Sequence, residues 1–255
     1  AFGSCSGFNG SLTIQDGVGW IGEYAFFDCS GFTGSLTIPR SVIRIGDYAF
    51  YDCCGFTGSL TIQDGVNAID DYAFRGCSGF TGPLTIPKSV NSIATSAFSG
   101  CNGFTGSLTI QDGVSWIQDY AFWNCSGFTG SLTIPGSVTT IGKGAFGSCS
   151  GFNGSLTIQD GVNTIREQAF GGCSSFTGPL TISKSVTTIG SEAFSKCMNM
   201  GDIYCKATVP PIIRKGAFPD PSQRVLRVPR NCAETYRTAP GWSNLIFKEI
   251  VETEF

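Results

Sequence analysis

Cysteine is the residue type here with the widest chemical repertoire: twelve thiols in 255 residues. Thiols can attack carbonyls, bind metals or form disulfides. Nine of them stand at 5, 29, 53, 77, 101, 125, 149, 173 and 197, evenly spaced along the chain. A tetrahedral metal cage needs converging ligands, usually in C-x-x-C pairs. A linear ladder offers none, so neither a metal nor a cofactor is expected. One residue type at one place in every unit predicts buried, mostly reduced thiols that act as small hydrophobes. Units stacked roughly 4.8 Å apart would also bring neighbouring cysteines within disulfide range, so a bridge between adjacent units is the alternative reading. Cys54, Cys205 and Cys232 stand outside the ladder. Cys54 falls where other units carry Ser or Asn and is expected to be the accessible thiol.

Histidine is absent. That removes any His-dependent triad, any His-ligated metal and the commonest general base. Carboxylates such as Glu23, Asp47 and Asp71 sit at variable positions with no partner acid in view, so no enzyme is expected. The net charge of −3 gives no argument for a nucleic-acid partner or an acidic substrate. No apolar run approaches the roughly 20 residues that span a bilayer. The sequence opens inside a repeat, at Ala1-Phe2, and not on a signal-peptide pattern, which reads as a mature or truncated chain whose N-terminal repeats or cap are missing.

Aromatic side chains are the second chemically informative set. Positions that are the same in every unit are those the unit needs; positions that vary are open to another use. One variable register reads Tyr24, Tyr48, Tyr72, Ser96, Tyr120, then Gly144, Gln168 and Glu192. Another reads Phe27, Tyr51, Arg75, Ser99, Trp123, then Gly147, Gly171 and Ser195, and Trp20 and Trp116 share a third. These nine aromatics form the candidate binding strip, all in the N-terminal half. Exposed Tyr and Trp are costly unless used, and they dominate binding hot spots.

The element that must position these residues is the 24-residue unit, with Ala-Phe at 1, 25, 49 and onward to 217 without a slip. Such strict self-similarity signals a stacked solenoid. Two Phe registers, those of Phe2 and Phe8, hold eighteen of the 21 phenylalanines, so most aromatic content is core. Leu12-Thr13-Ile14 alternates in-out-in, as a strand with one buried face does. The reading is a right-handed coil with short parallel strands at 12–14, 36–38, 60–62, 84–86, 108–110, 132–134, 156–158 and 180–182, forming a continuous sheet. Val18 to Ile21 gives a second extended piece, and Ala25 to Cys29 a single helical or 3₁₀ turn. Two kinds of unit alternate, SLTIQDGV and SLTIP or PLTI(P/S), which makes a 48-residue super-repeat. One register then reads Asp16, Arg40, Asp64, Lys88, Asp112, Gly136, Asp160, Lys184, which predicts a solubilising ladder of surface ion pairs. Residues 1–197 are assigned to the solenoid and 198–255 to degenerate last repeats and a C-terminal cap. In the latter Tyr204 is expected at the Leu position, Val225 to Pro229 as the last strand, and Asn231 as a helix cap.

The unit C-x-G-F-T-G-S-L-T-I-P-x-S-V-x-x-I-G-x-x-A-F-x-x-C resembles the BspA-like leucine-rich repeats of bacterial surface proteins. The stretch Cys205 to Pro211, Leu226 to Pro229, Tyr236 and Gly241-Trp242 is similar to that family's closing cap. The resemblance implies a surface-exposed or secreted, non-enzymatic bacterial protein. It implies binding or adhesion to a protein or glycan, with host extracellular-matrix glycoproteins among the candidates. The alternatives are a structural spacer or surface-coat protein without a specific ligand and, more remotely, ice binding through the outward Thr ladder that starts at Thr13.

Overall fold

A Leu-Thr-Ile triplet can bury two side chains only if the same triplet of the next unit lies against it. In the computed structural model, which describes Phe2 and residues 7–255, that is how the units meet. Leu36–Ile38 pairs in parallel with Leu60–Ile62, register Leu36 to Leu60, and the same in-register pairing recurs between Leu84–Ile86 and Leu108–Ile110 and from Leu132–Ile134 to Leu180–Ile182. Leu and Ile point inward and Thr outward in each of the triplets from Leu36–Ile38 to Leu180–Ile182. A second ladder of two-residue strands runs from Trp20–Ile21 to Ile212–Ile213. It is nine strands of parallel sheet, one per coil in chain order, among the described residues. The first members of two registers, Ala1 and Cys5, lie outside the described residues.

The triplets do not form the continuous sheet expected. They divide into a pair (Leu36–Ile38 and Leu60–Ile62), a second pair (Leu84–Ile86 and Leu108–Ile110) and a six-stranded sheet from Leu132–Ile134 onward; residues 12–14 pair with nothing. Each break precedes a unit whose triplet is followed by proline: Pro39, Pro87 and Pro135. At the equivalent position Gln63, Gln111 and Gln159 each donate a backbone N–H to the previous coil's Ile38, Ile86 or Ile134 carbonyl, at 3.1 Å. Proline has no N–H to give. Where Ser183 replaces proline, Leu156–Ile158 and Leu180–Ile182 stay paired. The alternation of two kinds of unit thus reaches the backbone.

The core is two columns of stacked phenylalanines. Phe50, Phe74, Phe98, Phe122, Phe146 and Phe170 are fully buried, with successive centroids 5.1–5.3 Å apart and ring planes nearly parallel. The second column alternates in spacing: 6.0 Å from Phe32 to Phe56, 4.9 Å to Phe80, 6.0 Å to Phe104. The closer steps fall where the triplets are unpaired. The segment from Ala25 to Cys29 is a pair of turns rather than a helical turn. Tyr24 and Asp28 take left-handed backbone (φ 53° and 55°), and Phe27 N–H donates to the Tyr24 carbonyl.

After Cys197 the chain loses one residue. Ile203, not Tyr204, pairs with Leu180, and Tyr204 stands opposite Thr181. Burial decides this, since Ile203 fills the inner place and Tyr204 stays partly exposed. Val225–Pro229 is followed by a further parallel strand, Glu249–Thr253. The helix Ala233–Thr238 is capped from a distance: Asn231 has φ 61° and lies outside it, and Glu252 accepts the Ala233 N–H at 3.0 Å. This bond, with others from nearby backbone, holds the Glu252 carboxyl below its usual range. Trp242 packs edge-to-face on Tyr236 and tilted against Phe218, and its indole N–H reaches the Pro211 carbonyl at 2.7 Å. Arg224 closes the second Phe column. Its guanidinium donates to the carbonyls of Met200 (2.7 Å) and Met198 (2.8 Å) at the place where earlier coils carry a ring. No helix among the described residues is long and apolar enough to cross a membrane.

Candidate functional site

Thiols come first, because the sequence puts most of the reactive chemistry there. Cys53, Cys77, Cys101, Cys125, Cys149, Cys173 and Cys197 are buried and unbridged. Each donates its S–H to the carbonyl of the Phe 27 residues earlier, from Cys53 to Phe26 (2.9 Å) through Cys197 to Phe170 (3.1 Å). The ladder is therefore more than the packing column expected from sequence, since each thiol adds a second hydrogen bond to a core carbonyl of the coil before it, one that already accepts a backbone N–H of its own coil. Burial pushes the Cys53 and Cys149 thiols up to about 12, so neither is a nucleophile at neutral pH. Cys205 accepts the Tyr236 hydroxyl at 3.1 Å and is pushed up to about 11, again by burial. Cys54 is exposed. Alkylation of the native, unreduced protein at pH 8 will modify Cys54 first, and at most one further thiol, as read by peptide mass mapping. Ready labelling of Cys77 or Cys125 without denaturant would contradict the burial. No group of three His, Cys, Asp or Glu among the described residues is placed to hold a metal.

The charged register yields one ion pair among the described residues, Lys184 to Asp160 at 3.6 Å. Elsewhere in this register the coils are linked through glutamine: the Arg40 and Lys88 backbone N–H groups donate to the Gln63 and Gln111 side chains. This turn face carries shallow grooves of about 440 and 370 Å³, lined by residues such as Lys88, Gln111 and Thr133, and Thr157, Asp160 and Lys206.

The nine aromatics do not form one stripe; the structure sorts them into three groups. Tyr24, Tyr48 and Tyr72 stack face to face at 5.0 and 4.7 Å, with planes 7° and 13° apart. Beside them Phe27 stacks on Tyr51 at 5.0 Å, and the two columns touch through Tyr24–Phe27 and Tyr48–Tyr51. Arg75 ends both columns, its guanidinium 5.7 Å from the Tyr51 ring and 5.5 Å from the Tyr72 ring. In the next coil Ser96 and Ser99 are buried and interrupt the aromatics. Tyr120 and Trp123 form a separate edge-to-face pair at 5.6 Å. Trp20 and Trp116 lie outermost, 77% and 56% exposed, on the two-residue strands, and make no ring contact with either group.

Two features of these registers escaped the sequence. First, they are not unconstrained. The Tyr24 register has φ between 52° and 60° in each of Tyr24, Tyr48, Tyr72, Ser96, Tyr120, Gly144, Gln168 and Glu192. A tyrosine there carries strain that a glycine would not. Second, the glycines that follow are complementary to the aromatics. A Cβ on Gly147 would lie 2.2 Å from the Trp123 ring, and one on Gly144 would lie 2.7 Å from the Tyr120 ring. Burial, the neighbouring tyrosines and Asp71 raise Tyr48 above the usual phenol value. Sequence reasoning also passed over Arg75 and the carboxylates of Asp28 and Asp52, which flank the columns. Their link to the rings becomes visible only when coils are stacked.

A family model described as a BspA type leucine-rich repeat region, in six copies, matches residues 1–129 and 128–239. Among curated proteins none matches the chain. Several solved structures are similar. One is a leucine-rich repeat protein of T. pallidum, 23% identical, covering 72% of this chain and 83% of that one with a TM-score of 0.57. Another is a leucine-rich cell surface protein from Faecalibacterium prausnitzii A2-165, 21% identical, covering 97% and 88% with a TM-score of 0.47. A third is a leucine-rich repeat protein from Eubacterium ventriosum, 20% identical, covering 93% and 71% with a TM-score of 0.42. At these identities the likeness is one of fold.

Proposed function

The chain belongs to the BspA-type leucine-rich-repeat family, and on that premise we propose that it is a non-enzymatic binding module that presents its N-terminal aromatics to a protein or glycan partner. The observation that carries this is the double column of Tyr24, Tyr48, Tyr72, Phe27 and Tyr51, partly exposed and ended by Arg75. The coil does not require aromatics at these places, because Ser96 and Ser99 occupy the same registers one coil on. Yet tyrosine is kept there at left-handed φ, a backbone that strains this residue type. The family resemblance adds a bacterial cell-surface or secreted location and adhesion, with host matrix glycoproteins as the first partners to try.

The test is a panel of matrix proteins and glycans immobilised for surface plasmon resonance. It compares the native chain with Tyr48→Ser/Tyr51→Ser and with Trp116→Thr/Trp123→Gly, substitutions copied from other coils. A hot-spot pair is worth about 2 kcal/mol or more, so binding falls at least about thirtyfold in one of the two variants while circular dichroism stays native. Unchanged binding in both folded variants would take the contact off the aromatics, and no binding to any member of the panel would leave the array a spacer.

A further inference from the structure

We propose that the aromatic columns are the seat of an arginine-rich segment of a protein partner. The inference rests on the binding reading above and names the partner's chemistry. Three observations carry it.

The first is ring geometry. Tyr24, Tyr48 and Tyr72 cover one another's faces at 4.7–5.0 Å. A sugar needs an open aromatic face to stack on; these columns offer edges, hydroxyls and column ends. A planar guanidinium uses that geometry well, and the chain itself shows how: Arg75 sits over Tyr51 and Tyr72 at once.

The second is charge. In the first three coils the turn segments 22–28, 46–52 and 70–76 hold Glu23, Asp28, Asp47, Asp52, Asp70 and Asp71, against the single cation Arg75. In the same segments of the next five coils Asp119, Glu167 and Glu192 are balanced by Lys143, Arg166 and Lys196. The chain's net charge is only −3, so the negative excess is concentrated around the columns. Arg44, paired with Asp70, offsets one charge from the adjoining strand. The Tyr120–Trp123 pair has no such setting: Arg166 is bonded to Asp119 at 2.8 Å, and Lys143 pairs with Glu167 at 3.2 Å.

The third is an uncompensated acidic pair. Asp28 and Asp52 occupy equivalent turns of adjacent coils, both exposed and both at left-handed φ. Burial and the neighbouring Asp28 raise the Asp52 carboxyl, while Arg75 pulls it back. A second guanidinium laid beside Phe27 and Tyr51 would relieve the repulsion that Arg75 only partly meets. A bidentate fork suits it better than an ammonium.

The probe is fluorescein-labelled hexa-arginine, read by anisotropy at 150 mM NaCl, with hexa-lysine and a neutral Gly-Ser peptide alongside. Native protein is expected to bind hexa-arginine saturably and more tightly than hexa-lysine. Asp28→Asn/Asp52→Asn and Tyr48→Ser/Tyr51→Ser should each weaken it about tenfold. Arg75→Ser, the residue found at 99, should tighten it about threefold by freeing both column ends. Asp112→Asn/Asp160→Asn removes the same two charges from another face and should stay within about twofold of native. An equal loss in that control, or no change in Arg75→Ser, would overturn the proposal by reducing it to net charge. A partner from the matrix panel that depends on Tyr48 and Tyr51 but ignores Asp28→Asn/Asp52→Asn would also overturn the arginine assignment, and would leave the binding surface standing.

Discussion

Between pH 9 and pH 10 the solenoid will lose most of its stability, and the cysteine ladder will be the cause. Burial raises Cys53 and Cys149 to about 12 and Cys205 to about 11, and it raises Cys77, Cys101, Cys125 and Cys173 as well. An unfolded thiol ionises near 9. Between the two values the folded chain holds protons that the unfolded chain gives up, so stability falls as pH rises. The contribution is fully present below about pH 9 and is lost toward the folded values. Each thiol costs about 1.4 kcal/mol per pH unit past its unfolded value. For seven thiols the loss at pH 10 is on the order of 10 kcal/mol, comparable with the whole stability of an ordinary domain. Far-UV circular dichroism against pH will show a steep loss of structure near pH 10. Cys101→Ser/Cys125→Ser will move that midpoint upward, since a serine hydroxyl can still donate to the Phe74 and Phe98 carbonyls without ionising. A flat signal to pH 11 would contradict the account.

Replacing Phe122 with Ala will cost about 3–5 kcal/mol, as will truncation of any other interior ring of this column. The ring is fully buried and stacked between Phe98 at 5.2 Å and Phe146 at 5.3 Å. No side chain of another element can move in, because the core of each coil is packed only against the cores of the coils on either side. The cavity therefore weakens two coil–coil interfaces at once. Urea unfolding followed by tryptophan fluorescence and circular dichroism will show a lower midpoint. It will also show two separable transitions in place of one, as the halves uncouple. The same truncation at Phe26, partly buried at the first full coil, will cost less. A midpoint change worth under about 1 kcal/mol for Phe122→Ala would contradict the column as the source of cohesion.

The repeat alone determined the architecture. With Phe, Cys, Leu and Ile each recurring in the same place of every unit, only a stack of coils can bury all of them together, and the two Phe columns and the inward triplets follow from that. It also pointed to buried thiols, because a residue in the same place in every coil must face the same core, but it left a bridge between adjacent coils open until the structure showed the thiols unbridged. What it could not decide was anything set by the relation of one coil to the next. Pro39, Pro87 and Pro135 break the triplet sheet because the missing N–H matters only opposite a carbonyl of the preceding coil. The single-residue shift that puts Ile203 opposite Leu180 is a choice of which side chain fills the inner place. The aromatics are the clearest case. Sequence placed nine of them in shared registers, and stacking alone divided them. Tyr24, Tyr48 and Tyr72 became one column, Arg75 closed it, and Ser96 and Ser99 cut it from Tyr120 and Trp123. Periodicity fixes which residues share a face. The distances that make a face chemically distinct, 5.0 Å from ring to ring and 5.5 Å from ring to guanidinium, exist only once the coils are laid on one another.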